Sequence, residues 1–176
     1  YYDKCTGCVS DIGVFRLNYH KHNHTGEGGI CVTENDEYAE RMQLIRNHAE
    51  AVVEGKGVQN LTNMIGFNFR MGEIEAALGI EQLKKLPGII NEKIQWAGIL
   101  SEGLSKLDGL RTPIIKEHCS HVYYAYPLLL DDKITETHRD KIFKALVAEG
   151  VPALGDRYVN LHLYPMYQKK IAYGSN

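Results

Sequence analysis

The feature of this sequence that most constrains its fold is a short segment that surrounds one lysine with histidines and follows it with glycines, His20-Lys21-His22-Asn23-His24-Thr25-Gly26-Glu27-Gly28-Gly29. We call residues 20–29 the lysine loop. Glycines permit positive φ angles and close backbone approach, so the segment favours a tight turn. Residues 30–33 are mostly apolar, which predicts a strand directly after the turn. The loop is therefore expected to hold Lys21 rigidly beside a strand end.

Lys21 is the candidate reactive residue of this loop. An amine that attacks a carbonyl must lose its proton near neutral pH, which requires partial desolvation or nearby cations. His20, His22 and His24 supply part of such a setting. If the loop is extended, a period of two places these histidines on one face and Lys21 and Asn23 on the other. Histidines on a half-buried strand also serve as ordinary hydrogen-bonding residues, and the sequence leaves both roles open.

The spacing from Lys21 to the Thr-Gly-Glu-Gly-Gly segment resembles that of the DegT/DnrJ/EryC1/StrS sugar aminotransferases, which are pyridoxal-phosphate enzymes of fold type I. The resemblance covers nearly the whole chain. Its other matching segments are Arg46-Asn47-His48, Gly66-Phe67-Asn68-Phe69-Arg70-Met71, Glu75-Ala76-Ala77-Leu78-Gly79, Gln82-Leu83 and Leu161-His162-Leu163. Agreement at so many places is far more specific than a single glycine motif.

The resemblance implies an α/β fold, in which the C-terminal part of a fold type I PLP-dependent transferase large domain is followed by a small α/β domain. It implies that Lys21 forms the Schiff base with pyridoxal 5'-phosphate and later shuttles a proton as base and acid. It also implies the reaction, which is transfer of an amino group from a donor such as glutamate to a keto group of a nucleotide-linked sugar. Such reactions serve the biosynthesis of cell-surface polysaccharides or of secondary-metabolite sugars.

The resemblance also assigns residues outside the lysine loop. Asn68 is expected to contact the cofactor phosphate of the partner subunit, so that the protein is a homodimer with shared active sites. An amide N–H suits a phosphate oxygen, and the long segment 51–67 before Asn68 is typical of a functional loop. Arg70 is assigned to the subunit interface. The nucleotide-sugar substrate is assigned His162, Tyr158 and His48, although His48 also suits the C-terminal end of a helix because of the helix dipole.

Arg16 departs from the family pattern. The family has a serine five residues before the lysine, where it binds the cofactor phosphate, and Arg16 stands at that position. A guanidinium can hold a phosphate through charge-assisted hydrogen bonds, but it is much larger than serine and could equally block the site. We therefore treat Arg16 as a cofactor-binding candidate that either strengthens or weakens binding of the cofactor phosphate.

Apolar periodicity predicts the order of elements in the first half of the chain. Residues 12–17 favour a strand that runs into the lysine loop. Asn35 offers an N-cap for a helix whose apolar face includes Tyr38, Met42, Ile45 and Ala49. Residues 71–86 predict another helix, which Pro87-Gly88 should end.

The Pro87-Gly88 break is the predicted domain boundary. It divides the chain into residues 1–86, the C-terminal part of the cofactor-binding domain, and residues 87–176, an interdomain helix and a small α/β domain. The small domain is expected to contain strands at 110–115 and 121–130 and a helix at 135–149. Thr137 and Asp140 have the spacing of a capping box, and Gly150 suits the C-terminal cap of that helix.

Composition limits the remaining functions. The 176 residues contain 20 basic and 22 acidic side chains without a basic run, which gives no electrostatic case for binding nucleic acid or an anionic membrane. No apolar run approaches the roughly 18 residues that span a bilayer, and the N-terminus lacks a signal-peptide pattern, so a cytoplasmic protein is expected. Because the related enzymes have two domains, we expect a fragment that lacks the N-terminal half and the extreme C-terminus and is inactive alone.

Two alternative functions stay open. The first is a sugar dehydratase with the same cofactor, whose relatives in the family have histidine in place of the lysine; Lys21 argues against it, whereas His20 and His22 keep it open. The second is a non-catalytic module in which Cys5 and Cys8 bind a metal together with the loop histidines. A second CxxC is absent, and no metal site is assigned. We expect free thiols at all four cysteines, Cys5, Cys8, Cys31 and Cys119.

Overall fold

The computed structural model describes residues 2, 4–49, 64–131, 138–152, 154–155 and 160–170, and the structural statements below concern these residues. The chain divides into two compact units. The first comprises Tyr1–Lys106 with Thr112–Leu128, and the second comprises Leu107–Arg111 with Leu129–Asn176. No helix in the described part of the chain is long and apolar enough to cross a membrane.

The first unit begins with a short 3-10 helix, Thr6–Cys8, and an antiparallel hairpin of strands β1 (Gly13–Arg16) and β2 (Gly29–Val32). The register places Gly13 opposite Val32 and Arg16 opposite Gly29. Both strands were predicted from the sequence, and each of their ends lies one residue from its predicted position. Because β1 and β2 pair directly, most of the lysine loop lies in the connection of this hairpin, residues 17–28.

Helix α1 (Asp36–Arg46) follows the hairpin and has the predicted cap. The side chain of Asn35 accepts a hydrogen bond from the Tyr38 backbone N–H at 3.1 Å, which satisfies one of the free donors of the first turn. Leu44 on this helix is only 1% exposed and belongs to the core. Ala49 is buried as predicted, but it lies beyond the helix in a turn where its φ is +60°.

Helix α2 (Glu73–Leu104) is 32 residues long and runs through Pro87, so the predicted helix end at Pro87-Gly88 is wrong. A proline inside a helix removes one backbone hydrogen bond and crowds the preceding turn, which costs about 3 kcal/mol. The helix extends for several turns on both sides of Pro87, and the buried Ala97 anchors the later part. The predicted boundary between residues 86 and 87 thus falls inside a continuous helix, and the domain ranges 1–86 and 87–176 stay a prediction about the whole protein.

The last part of the first unit, Thr112–Leu128, forms turns, bends and irregular structure, so the predicted strand at 121–130 is wrong for most of its length. Tyr123 is buried here. The hydroxyl of Tyr126 shares a hydrogen bond with the hydroxyl of Ser101 on α2 at 2.7 Å. The hydrogen bond of Tyr126 to α2 and the burial of Tyr123, rather than strand pairing, therefore hold this segment.

The second unit contains the antiparallel pair β3 (Leu110–Arg111) and β4 (Leu129–Leu130), helix α3 (Arg139–Ala148), a 3-10 helix (Leu161–Leu163) and the short helix α4 (Pro165–Gln168). The strands are shorter than predicted. His138 is the N-cap of α3, and its Nδ1 accepts from the Asp140 N–H at 3.3 Å; the predicted capping residue Thr137 lies outside the described residues. Gly150 has φ +82° directly after the helix, which confirms its predicted capping role.

Candidate active site

Backbone hydrogen bonds to Leu17 close the lysine loop. The Leu17 N–H donates to the Gly28 carbonyl at 2.9 Å, and the Thr25 N–H donates to the Leu17 carbonyl at 3.0 Å. Leu17 is 5% exposed, so this anchor lies in the core. Residues 19–23 form turns and bends, and the alternation expected for an extended loop does not occur.

Polar side chains support the loop from within. The Asn18 side-chain amide donates to Glu27 Oε1, and the Thr25 hydroxyl donates to the Glu27 carbonyl at 2.7 Å. Asn18 and Thr25 are buried, at 3% and 4% exposure. Buried polar groups that are fully hydrogen-bonded rigidify the segment that carries them. Thr25 and Glu27 of the Thr-Gly-Glu-Gly-Gly motif therefore have structural roles, and they hold the turn that carries Lys21.

Gly28 is the position in the loop where a side chain does not fit. Its φ is +150°, and a Cβ there would lie 2.7 Å from the Thr25 hydroxyl oxygen. Gly26 has φ +86°, which side-chain-bearing residues rarely adopt. Gly26 and Gly28, two of the three glycines predicted to allow the tight turn, are therefore required by the geometry of the loop.

Lys21 is half-buried, and its amine has an aromatic neighbour. The backbone N–H of Lys21 donates to the Asn18 carbonyl at 2.9 Å, which fixes the backbone of Lys21. The Nζ atom lies 3.7 Å from the centroid of the Tyr124 ring, inside the range of a cation–π interaction. Sequence reasoning missed Tyr124, because no motif or period links residue 124 to residue 21.

The residues that follow Lys21 carry buried polar atoms without hydrogen-bond partners. Within the described part of the chain these atoms are His22 Nε2, Asn23 Oδ1 and His24 Nδ1. Burial lowers the pKa of His22 below its ordinary 6.5, and the charges of Lys93 and Lys21 lower it further, while a hydrogen bond with the Tyr123 backbone acts in the opposite direction. His22 is therefore neutral at physiological pH. Unsatisfied buried polar atoms are rare and mark places where a polar ligand adds stability.

Arg16 is the last residue of β1 and lies opposite Gly29, the last residue of the lysine loop. Its side chain is exposed. The hairpin register thus places Arg16 opposite the end of the lysine loop. Whether its guanidinium holds a phosphate stays a prediction.

The structure brings three other predicted residues together at the end of α1. Asn68 forms an isolated antiparallel bridge with Asn47. The His48 N–H donates to the Phe67 carbonyl at 3.0 Å, and Arg70 Nη1 donates to Asn47 Oδ1 at 2.8 Å. His48, Asn68 and Arg70 are all exposed. We call residues 45–49 with 67–70 the Asn68 cluster.

The two remaining predicted substrate residues are not in these groups. His162 is exposed in the 3-10 helix of the second unit, and its carbonyl accepts a hydrogen bond from the Gln168 side chain. Tyr158 lies outside the described residues. Among described residues, no group of three or more histidine, cysteine or acidic side chains is arranged to hold a metal ion. The four cysteines are free, and Cys5 and Cys8 are exposed.

Comparison with known proteins gives a match to one family and to several relatives. The family model described as the DegT/DnrJ/EryC1/StrS aminotransferase family matches residues 1–176. The chain is 31% identical to an uncharacterized protein of Methanocaldococcus jannaschii, over 98% of this chain and 46% of that protein. It is 30% identical to the UDP-4-amino-4,6-dideoxy-N-acetyl-beta-L-altrosamine transaminase of Helicobacter pylori, over 97% of this chain and 43% of that protein. The chain spans less than half the length of these two relatives.

A solved structure shares the fold. The crystal structure of Helicobacter pylori PseC, an aminotransferase involved in the biosynthesis of pseudoaminic acid, superposes with a TM-score of 0.80 at 27% sequence identity. The similarity covers 100% of this chain and 46% of that chain. The predicted fold class, part of a fold type I PLP-dependent transferase, is thereby confirmed.

Proposed function

Since the chain belongs to the DegT/DnrJ/EryC1/StrS aminotransferase family, we propose that the whole protein is a pyridoxal-phosphate-dependent aminotransferase. It transfers an amino group from a donor such as glutamate to a keto group of a nucleotide-linked sugar, in the cytoplasm. The observation that carries this proposal is the lysine loop, in which buried hydrogen bonds of Leu17, Asn18 and Thr25 support a turn that carries the half-buried Lys21.

The residues of the loop suit pyridoxal phosphate, which carries an aldehyde, polar ring substituents and a phosphate. Lys21 provides the primary amine that an aldehyde binds covalently. The unpaired buried atoms of His22, Asn23 and His24 provide polar partners beside it. Arg16, the last residue of β1, provides a guanidinium on the strand that leads into the loop. When bound, the cofactor supplies an electron sink for the carbanion formed at the substrate carbon.

Lys21 has two successive roles in this proposal. Its Nζ would hold the cofactor covalently, and once released it would stand beside the reacting carbon as a free amine. As a free amine, Nζ would take up the proton from the α-carbon of the donor and deliver it to a different atom, C4′ of the cofactor, so one group would act as base and then as acid. The rigid turn keeps Nζ within reach of that carbon, which raises the rate through proximity. Neutral His22 beside Lys21 offers a hydrogen-bonding nitrogen without adding a competing charge.

We propose further that the whole protein is a homodimer in which Asn68 contacts the cofactor phosphate of the partner subunit. The backbone of Asn68 is fixed to the end of α1, while its side chain is exposed and free to meet another molecule. Phe67 and Phe69 stack on each other at 4.9 Å, and both rings are exposed. Ile74 and Leu78, on the following helix, are exposed as well. Contiguous exposed apolar side chains mark protein interaction surfaces.

Arg70 and His48 belong to the same proposed interface and substrate region. The hydrogen bond from Arg70 to Asn47 fixes one edge of the guanidinium and leaves its other donors for a partner. His48 has φ +62°, a conformation that is costly for a histidine and is typical of functional sites. The roles of His162 and Tyr158 in nucleotide-sugar binding rest on the family resemblance alone.

The first experiment is peptide mapping of the whole protein that contains this chain. After incubation with pyridoxal phosphate and reduction with borohydride, we expect the reduced cofactor on Lys21. Lys21→Ala should carry no such label and should lose transaminase turnover. Lys84→Ala is the matched control, because Lys84 is an exposed lysine paired with Glu81 and should leave the label in place. A label on another lysine, or full turnover by Lys21→Ala, would show the assignment to be wrong.

The second experiment separates amino transfer from dehydration. The whole protein is incubated with glutamate and a panel of nucleotide-linked keto-sugars, and the products are analysed by mass spectrometry. An amino sugar that carries nitrogen from labelled glutamate supports the proposal. A product that has lost water and carries no nitrogen from glutamate would instead identify a dehydratase.

A further inference from the structure

We infer that Tyr124 is a positioning residue for the Lys21 amine, an inference that rests on the proposed function. Lys21 Nζ lies 3.7 Å from the centroid of the Tyr124 ring. The negative face of an aromatic ring attracts an ammonium group, and this attraction has a preferred direction. A lysine side chain is otherwise a flexible four-carbon chain with many rotamers. The ring therefore restricts where the free amine points.

The ring of Tyr124 contacts the lysine loop at a second residue. The His22 imidazole meets this ring edge-on, with 6.3 Å between the centroids and an angle of 62° between the planes. The Tyr124 ring is thus held by two residues of the lysine loop, with Lys21 above its face and His22 in an edge contact. Because burial and the nearby lysines keep His22 neutral, the positive charge that meets the ring is that of Lys21.

The residue before Tyr124 has a strained backbone conformation, and the chain turns at this residue. Tyr123 has φ +49°, a conformation that bulky residues rarely adopt. Three contacts of the Tyr123 region maintain it. The Tyr123 N–H donates to His121 Nδ1 at 2.8 Å, its ring stacks with Tyr126 at 5.9 Å, and Tyr126 hydrogen-bonds Ser101 of α2. Strain that surrounding contacts maintain is a mark of functional sites.

The same contacts explain why Tyr124 stands beside Lys21 although 103 positions separate them in the sequence. Tyr123 points into the core and Tyr126 is tied to α2, so the short segment between them has little freedom. Tyr124 is the residue of this segment that reaches the lysine loop. Its ring acts while Nζ is protonated and not bonded to the cofactor, when it keeps Nζ at the site rather than in solvent.

The test uses the whole protein without cofactor, so that it does not depend on catalysis. Lysine amines are methylated reductively with 13C-formaldehyde and observed by 1H–13C NMR, and the Lys21 signal is assigned by its loss in Lys21→Arg. Methyl groups above a ring face resonate upfield. We expect an upfield Lys21 signal in the wild type and in Tyr124→Phe, and its loss in Tyr124→Leu. A wild-type signal without the upfield shift, or one that persists in Tyr124→Leu, overturns the inference.

Kinetics give a second measurement. Tyr124→Leu should lower kcat by about two- to fivefold, the range expected for an exposed cation–π contact, with little change in the KM for the amino donor. Tyr124→Phe keeps the ring and should restore kcat. Tyr38→Leu is the matched control, because Tyr38 on α1 is similarly exposed and should leave kcat unchanged. If Tyr124→Leu has wild-type kcat while borohydride mapping still labels Lys21, the positioning role is wrong and the proposed function stands.

Discussion

Gly79 of α2 lies so close to Thr25 of the lysine loop that a Cβ at position 79 would be 2.9 Å from the Thr25 Cγ2 methyl. Thr25 is 4% exposed, and its hydroxyl donates to the Glu27 carbonyl, so its methyl cannot turn away without breaking a buried hydrogen bond. The absence of a side chain at Gly79 therefore lets the long helix support the loop that carries Lys21.

We predict that Gly79→Ala destabilises the whole protein by about 1–3 kcal/mol, the usual effect of overpacking a buried contact. Alanine favours a helix over glycine by about 1 kcal/mol, so the loss would arise in spite of better helix propensity. Urea unfolding measures the change. Gly98→Ala, on the same helix, is the control. A Cβ at position 98 meets no atom within 4 Å, so this variant should stabilise the protein. Equal gains from the two variants would contradict the contact between α2 and the loop.

The second prediction concerns stability in acid. The pKa of His22 is lower in the folded state than its ordinary 6.5, mainly because of burial and then because of Lys93. Below pH 6.5 the unfolded chain therefore binds a proton at this site more readily than the folded chain, and stability falls as the pH decreases. His22→Gln should flatten the decrease in unfolding free energy between pH 7.5 and 5.5. Asn23→Ala alters the loop without removing a titratable group, and its pH profile should run parallel to the wild type. A His22→Gln profile that is also parallel would contradict the assignment.

The third prediction tests the shared active site by complementation. Lys21→Ala and Asn68→Ala subunits are each expected to be inactive. In a mixed dimer, one site combines the native Lys21 of one subunit with the native Asn68 of the other. Random mixing should therefore restore about a quarter of wild-type activity, since half of the dimers are mixed and each has one intact site.

A control for this experiment mixes Lys21→Ala with a variant that carries both substitutions, because no dimer in that mixture contains a native Lys21. It should stay inactive. Subunit exchange is followed by native mass spectrometry. Confirmed exchange without recovery of activity would show that Asn68 does not serve the partner's site.

The fourth prediction decides the effect of Arg16. If its guanidinium holds the cofactor phosphate, Arg16→Ala should weaken cofactor binding roughly 10- to 100-fold, as expected for the loss of a hydrogen bond to a charged group. Cofactor titration followed by absorbance gives the Kd. Arg111→Ala, an exposed arginine on β3, is the control and should have no effect. Tighter binding by Arg16→Ser would instead show that the larger side chain obstructs the phosphate.

The fifth prediction tests the continuity of α2. Pro87 is exposed within the helix, and its ring removes one backbone hydrogen bond. Pro87→Ala should raise the unfolding free energy by up to about 3 kcal/mol, because alanine restores that bond. At the neighbouring Gly88 an added Cβ would meet no atom within 4 Å. Gly88→Ala should therefore raise the unfolding free energy by the smaller amount of about 1 kcal/mol. An unchanged stability in Pro87→Ala would indicate that the helix ends at this residue after all.

The elements that arise from local causes can be predicted from the sequence. The cap of α1 at Asn35, the two strands of the hairpin and the glycine turn of the lysine loop follow from neighbouring residues, and the structure confirms them. The family and Lys21 as candidate reactive residue also followed from a local motif with fixed spacing. Pro87 shows the limit of local rules, because a helix stabilised over several turns on both sides absorbs one unfavourable residue.

The distant residues that surround the site, in contrast, are brought there by tertiary packing. Tyr124 lies against Lys21 because Tyr123 and Tyr126 are anchored in the core and on α2, and no period of the sequence encodes that contact. Asn47 joins Asn68 and Arg70 because the chain returns to the end of α1. Such contacts depend on packing between segments that are far apart in the chain, so their energies are set by the fold as a whole rather than by the local propensity of any residue.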